Sequence, residues 1–365
     1  MATASTQALS FRQVSAGTGG HTCGVTTGNI AYCWGANFSG ELGDGSTTRR
    51  LRPVPVAGSL RFSQVSAGVY HSCGVTTDRR VYCWGDNVFG QLGDGTTMQR
   101  LTPVPVAGGR RFRTVDAGRG ATCGVSYPDN RPFCWGANGK GQLGDGTTTA
   151  RLTPRLVVGG HLFRQVHIGR IHTCGVTLND QVLCWGSNEE DGRLGDGSPR
   201  GTVRPSPAPV AGDRRYRQVD VGENHVCAVT TGDRAFCWGN GQGGQIGDGN
   251  ALNRFTPRAV VGGLNFTRVS VGTGASCGET AGNRAYCWGL NNYGQAGDGS
   301  SESTPRRPVA VAGGLTFSQV SASGTHTCGV TPAGSGYCWG ANFNGEIGDG
   351  TTNERRTPVP VAGPS

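Results

Sequence analysis

Three sets of residues in this chain could do chemistry. Fourteen cysteines could form disulfides, bind zinc or stay as buried thiols. Asp116, His167 and Asp220 stand at one position of a recurring phrase, Val-Ser-Ala-Gly, that elsewhere carries Ser15, Ser66, Ser270 and Ser321. A carboxylate–imidazole–carboxylate set could hold a metal ion or act as an acid–base pair. Seven Gly-Asp-Gly triplets, centred on Asp44, Asp94, Asp145, Asp196, Asp248, Asp298 and Asp349, hint at calcium. They lack the other alternating oxygen ligands of a calcium loop. Aspartate also builds turns by accepting from nearby backbone donors, and that is the reading adopted.

The cysteines come in pairs with nine residues between them: Cys23/Cys33, Cys73/Cys83, Cys174/Cys184, Cys227/Cys237, Cys277/Cys287 and Cys328/Cys338. Cys123/Cys134 has ten. Each pair brackets a turn such as Thr27-Gly28-Asn29. A hairpin folded there sets its cysteines opposite one another, where Cα atoms lie about 4.5 Å apart, within disulfide range. Seven intra-hairpin disulfides are predicted, each worth nominally about 2.5–3 kcal/mol through chain entropy. Free thiols are the alternative. Zinc fits less well, because structural sites favour two to four residues between ligands. The histidine two before the first cysteine (His21, His71, His172, His225, His326) is Ala121 and Ala275 in the other copies. No metal or other cofactor is therefore expected.

The elements that must position these residues repeat. Cys-Trp-Gly occurs seven times, starting at Cys33, Cys83, Cys134, Cys184, Cys237, Cys287 and Cys338. A period near fifty without helical patterning signals a ring of β blades. In the second copy, Phe62–Gly68 reads as a strand, Ser72–Thr76 and Val81–Gly85 as a hairpin, and Thr102–Val106 as a proline-bearing edge strand. The predicted fold is all-β, a seven-bladed propeller with four antiparallel strands per blade. Expected blades are 11–58, 62–108, 112–160, 163–212, 216–263, 266–314 and 317–363, one domain over 11–363 after a flexible tail at 1–10. The seven tryptophans are read as packing between blades.

These phrases, with His-Thr-Cys-Gly-Val-Thr, Tyr-Cys-Trp-Gly-x-Asn and Gly-x-Leu-Gly-Asp-Gly-Thr-Thr, resemble the regulator-of-chromosome-condensation repeat family. The resemblance covers residues 11 to about 363 and implies a seven-bladed propeller. The cysteine-paired version looks like exported bacterial members, and the family includes secreted propellers that bind an enzyme through one rim of loops. Its nuclear exchange factor is associated with a protruding wedge and a basic N-terminal tail. Here 1–10 holds no lysine or arginine and the widest irregularity, from Glu189 through Pro209, adds only about three residues. Guanine-nucleotide exchange is not expected. Its plant photoreceptor uses clustered extra tryptophans, whereas every tryptophan here is the repeat tryptophan.

Composition bounds the rest. The formal charge is +9, with 33 Lys+Arg of which only Lys140 is lysine. No run nears the roughly 20 apolar residues of a membrane helix, so no membrane span is expected. The first ten residues lack the pattern of a signal peptide. Paired cysteines point to an oxidising compartment, so a mature secreted, periplasmic or cell-surface form is expected. No nucleophile elbow, zinc-peptidase or phosphate-loop motif occurs, so an enzyme is not expected, and the runner-up is a channel site at Asp116, His167 and Asp220. Loops that vary between copies carry Phe38, Tyr70, Phe89, Tyr293 and Phe343, predicted to share one rim and bind a protein of unknown identity. The opposite face is predicted to collect Arg79, Arg80, Arg110, Arg111, Arg131, Arg214, Arg215, Arg234 and Arg284, with Arg61, as a possible anionic-surface or nucleic-acid binder. A monomer is expected. Glu279, where other copies have valine, lacks an evident partner.

Overall fold

Blade 1 holds β1 (Phe11–Ala16), β2 (His21–Thr26), β3 (Ala31–Gly35) and β4 (Arg50–Pro55), hydrogen-bonded in that order. The structure, a computed structural model, describes residues 8–364. Within them seven such four-stranded antiparallel sheets follow one another. The first strand of each sheet lines an axial channel through Ser15, Ser66, Asp116, His167, Asp220, Ser270 and Ser321. The shortest outer strand is that of blade 6, Val309–Ala310. Pro305 and Pro308 precede it, and neither can donate to a ladder.

The hairpin register decides the cysteines. Val25↔Ala31 and Cys23↔Cys33 are direct partners in β2 and β3, and the other hairpins repeat this register. All seven pairs sit at disulfide distance with Cα atoms 4.0–4.1 Å apart. No free cysteine remains among the described residues. The sulfurs are buried in the seams, where the cysteines of blade 1 share a cluster with Phe62, Val65 and Trp84 of blade 2.

Each seam is latched at one carbonyl. The Trp84 indole N–H and the Ser72 hydroxyl both donate to Glu41 O, at 2.8 and 2.9 Å. Ser72 has then used its single proton, so the ring of His21 donates Nε2–H to Ser72 Oγ at 2.9 Å. This assigns the Nε2–H tautomer and leaves Nδ1 bare and unpartnered. His71 with Thr122 and His225 with Ser276 repeat the latch. His172 faces the seam where blade 5 carries Val226 instead of a hydroxyl, and both its ring nitrogens lack partners. The histidines are therefore seam pieces. Gly43 shows how tight the fit is. Its φ is +67°, and a Cβ there would lie 2.8 Å from the Trp84 ring. The tryptophans are wholly buried, and truncating such a side chain typically costs about 3–5 kcal/mol.

The Gly-Asp-Gly loops are turns. Asp44 Oδ1 accepts from the Ser46 N–H and hydroxyl at 3.0 and 2.8 Å, and Oδ2 pairs with Arg50 at 2.7 Å. Five other loops join the aspartate to an arginine at the start of the outer strand, its first residue or, for Arg204, its second: Arg100, Arg151, Arg204, Arg254 and Arg355. Six arginines of the basic excess are thus neutralised inside blades.

Ring closure uses no exchanged strand among the described residues. Blades 1 and 7 keep their own four strands. They join through one bridge, Ser10↔Ser335, and through Trp34 Nε1–H donating to Glu346 O at 2.8 Å. The expected tail splits here. Residues 1–7 lie outside the described residues, whereas Leu9 packs on the closing core of Phe11, Trp34 and Ile347.

Candidate functional site: the axial channel and two rims

The inner strands are bonded across seams by their own side chains. Gln13 donates to Val65 O at 2.7 Å and accepts from the Val65 N–H at 3.0 Å. Gln64, Gln218 and Gln319 repeat this with Val115, Val269 and Val14. Two residues along the same strands, Ser15 accepts the Ala67 N–H and Ser66 the Ala117 N–H, each at 3.0 Å.

Asp116 and Asp220 take over that serine role. Asp116 Oδ2 accepts from Ile168 N–H and Asp220 Oδ2 from Val271 N–H, both at 2.8 Å. His167 lies between them, its Nδ1 3.1 Å from Asp220 Oδ1 and 3.5 Å from Asp116 Oδ1. Burial by itself would lower its pKa. The carboxylates of Asp116 and Asp220 outweigh that and raise it to about 10. His167 is an imidazolium at neutral pH, with its Nδ1–H held between two carboxylates that also hold the scaffold. The structure does bring the trio together, but as a seam bridge in which one imidazolium is shared by two carboxylates. An imidazole already protonated does not abstract a proton. Among the described residues no group of three or more His, Cys, Asp or Glu side chains is arranged to hold a metal ion.

Glu279 has a partner after all. Blade 6 carries Arg268 where five other blades have glutamine, so the Val320 N–H of blade 7 lacks its usual acceptor. Glu279 stands opposite Arg268 in the register, and its Oε1 accepts that N–H. Burial chiefly raises its pKa, the Val320 N–H and Arg268 pull it back, and it settles at about 7.

The loops after the inner strand and after the tryptophan strand lie on one face, as strand direction requires. Phe38, Phe343, Phe89 and Tyr70 are 70%, 56%, 51% and 42% exposed. Tyr293 is half-buried and meets Phe343 edge-on at 5.3 Å between ring centroids. Val88 and Met98, also exposed, lie in the same blade 2 loop as Phe89. All five predicted aromatics thus belong to blades 6, 7, 1 and 2 on this face. Blades 3, 4 and 5 present Lys140, Glu190 and Gln242 at the corresponding tips.

The other face carries the hairpin turns and blade connections, and the predicted arginines are there. Their charge is partly engaged. Arg110 and Arg214 lie over the Phe133 and Phe236 rings at 4.3 and 4.4 Å. Arg80 pairs with Asp78, and Arg61 and Arg215 donate to carbonyls of the preceding blade. Arg111, Arg131, Arg234 and Arg284 are exposed and make no ion pair among the described residues. Sequence reasoning missed Arg12, Arg113 and Arg268 at the channel mouth on this face, and the ring of Tyr127 beside Arg79. A comparison of inner-strand positions across copies was the available signal.

Residues 2–279 match the RCC1-like domain, and residues 283–330 and 266–295 match the regulator of chromosome condensation (RCC1) repeat. The chain belongs to the RCC1-like family. Among its relatives, the ultraviolet-B receptor UVR8 of Arabidopsis thaliana is 30% identical over 238 residues, 64% of this chain and 54% of that protein. The human E3 ubiquitin-protein ligase HERC2 is 29% identical over 242 residues, 64% of this chain and 5% of that protein. The matched region thus spans about half of UVR8 and a small part of HERC2. Human WBSCR16 superposes with a TM-score of 0.81 at 20% identity, covering 91% of this chain and 94% of that one. Yeast RCC1 (Prp20), solved bound to Kap60, gives 0.80 at 20% identity over 92% and 83%. At that identity the likeness is one of fold. In the RCC1-like chain described here each of the seven blades carries one cysteine pair at disulfide distance.

Proposed function

We propose that this chain is a non-enzymatic protein-binding module, acting as a monomer outside the reducing cytoplasm, in a secreted, periplasmic or cell-surface setting. The observation that carries this reading is the aromatic rim. Four of five aromatics on adjacent blades project into solvent from loops anchored by the buried residues Asn37, His71, Asn87 and Asn342. Large exposed aromatics on a rigid frame are the composition of interface anchors. Rigidity also limits the entropy lost on association. Buried disulfides throughout the seams support the oxidising setting.

Alanine at Phe38, Tyr70, Phe89, Tyr293 and Phe343 together is expected to lower partner affinity by about a hundredfold or more, since even two anchors of about 2 kcal/mol each would give that. The protein should stay folded, because four of these side chains are already in solvent. The measurement is retention of proteins from the native-source medium on immobilised wild type and on the variant, compared by mass spectrometry. Equal retention on both would sink the rim as the binding face. Concentration-dependent sedimentation abolished by the variant would instead make the rim a self-association face and overturn the monomer.

A further inference from the structure

The axial channel is electrically lopsided. Its mouth on the aromatic face is lined by Arg119 against Asp116, Asp220 and Glu223. Its mouth on the hairpin-turn face opens into a cavity of about 610 Å³ lined by Arg12, Arg79, Arg113 and Arg268, with Asp116 as the one carboxylate. Asp116 lies deep and faces the imidazolium of His167. Two of the inner-strand positions show that this excess is not a property of every blade. In blades 4 and 5 the arginine equivalent to Arg12 and Arg113 is Arg164 or Arg217, and each pairs with a turn aspartate, Asp180 or Asp233, at 2.6 Å. Blades 1 and 3 supply no such aspartate at that turn position, where they carry Asn29 and Asn130.

Blade 2 goes further and puts an arginine there. That turn position has a left-handed backbone in six blades, at Asn29, Arg79, Asn130, Asp180, Asp233 and Asn283, and blade 7 fills it with Gly334. Asn, Asp and Gly tolerate this region, and other L-residues are disfavoured in it. Arg79 holds φ +72° and still aims into the cavity wall, with its guanidinium 5.1 Å from the Tyr127 ring centroid. Arg113 flanks the same ring at 5.9 Å. Arg79, Arg113 and Arg268 make no ion pair among the described residues, although Glu279 faces Arg268 from the neighbouring strand. A residue held against its backbone preference, preset by an aromatic ring and pointed at a convergent group of like charges, is the kind of feature that clusters at ligand sites.

We propose that this mouth of the channel binds a small free polyanion carrying two or more phosphate groups, with Arg79 as its anchor and Arg113, Arg12 and Arg268 around it. Guanidinium forks match phosphate oxygens two at a time. The cavity is within the size range of small-molecule sites. The site is on the opposite face from the aromatic rim and stands independently of it.

The test is calorimetric titration of inorganic tripolyphosphate into the whole chain at low salt, alongside Arg79→Asn and Arg113→Ser. Asparagine is what the repeat uses at this turn, so Arg79→Asn should melt no lower than wild type without the probe. Wild type is expected to bind one equivalent and to melt higher with the probe present. Arg79→Asn should weaken binding about tenfold or more, as loss of a charge-assisted contact does. No heat with wild type, or unchanged binding by a folded Arg79→Asn protein, would overturn the site. A short single-stranded oligonucleotide provides the second arm. Failure to displace the probe supports the small ligand, and displacement at lower concentration than tripolyphosphate itself needs would assign the arginines to a nucleic-acid backbone and overturn it.

Discussion

Reduction of the seven disulfides is expected to leave a chain that does not fold at ambient temperature. Each closes a separation of 10 or 11 residues, worth about 2.5–3 kcal/mol of unfolded-chain entropy. Seven such closures exceed the whole net stability of a typical domain, about 5–15 kcal/mol, even when each delivers less than its nominal share. The four-stranded blades offer little else locally, since an isolated hairpin is marginal in water. The check is thermal melting by circular dichroism of protein unfolded in denaturant, reduced, and returned to buffer with reductant still present. Alkylation is avoided because an added group has no room in sulfur sites that are at most 1% exposed. The same burial predicts that reductant without denaturant leaves the native chain oxidised. A reduced chain that melts within a few degrees of the oxidised one would refute the staple role and weaken the case for an exported protein.

Acid is expected to destabilise the protein progressively as pH falls from 6.5 toward about 4, and five histidines cause it. Burial above all lowers the pKa of His21, His225 and His326 to about 3, that of His71 to about 4, and that of His172 well below 6.5. At His21, His71 and His225 the added proton would sit on a buried Nδ1 with no acceptor. The folded state therefore resists protonation that the unfolded chain accepts near pH 6.5. Stability from these groups is complete above 6.5 and declines as pH falls toward the folded values, by about 1.4 kcal/mol per unit for each histidine. The aspartates of the Gly-Asp-Gly loops act lower. Burial pushes Asp44 up, Ser46 and Arg50 more than reverse it, and its contribution is lost only below its ordinary 3.8. His167 has the opposite sign. Its raised value means a contribution complete below 6.5 and lost as pH rises through about 10. Tryptophan fluorescence against pH follows both limbs, because every tryptophan is buried in a seam. Alanine at His21, His71, His225 and His326 should move the acid midpoint down, since Ala121 and Ala275 show that the seam accepts alanine. An unmoved midpoint would remove the histidines as the cause.

The two results share an origin in the seams, and they show which features were open to reasoning from the chain alone. Cys23 and Cys33 are ten residues apart, and their meeting needs only a hairpin of the right register. Hairpin register follows from turn position and side-chain alternation, which are local. The blade count, the strand order, the turn role of Asp44 and its counterparts, and the separation of aromatics from arginines onto two faces follow in the same way, because strand direction alternates predictably within each blade.

Contacts between blades did not follow. Gln13 meets Val65 across 52 residues, and Gln319 meets Val14 across 305. Such partners exist only once the ring has closed and set which atom of one inner strand faces which atom of the next. That is why Glu279 had no visible partner until Arg268 was seen to have displaced the bridging glutamine. It is also why Asp116, His167 and Asp220 could suggest catalysis as readily as a bridged seam. Arg79 gives the sharpest contrast. The sequence determined that an arginine stands where the other blades have asparagine, aspartate or glycine. Only the tertiary structure decided that its left-handed turn aims it at the channel mouth beside Arg113, because backbone conformation and the approach of distant blades together set where a side chain's charge is placed.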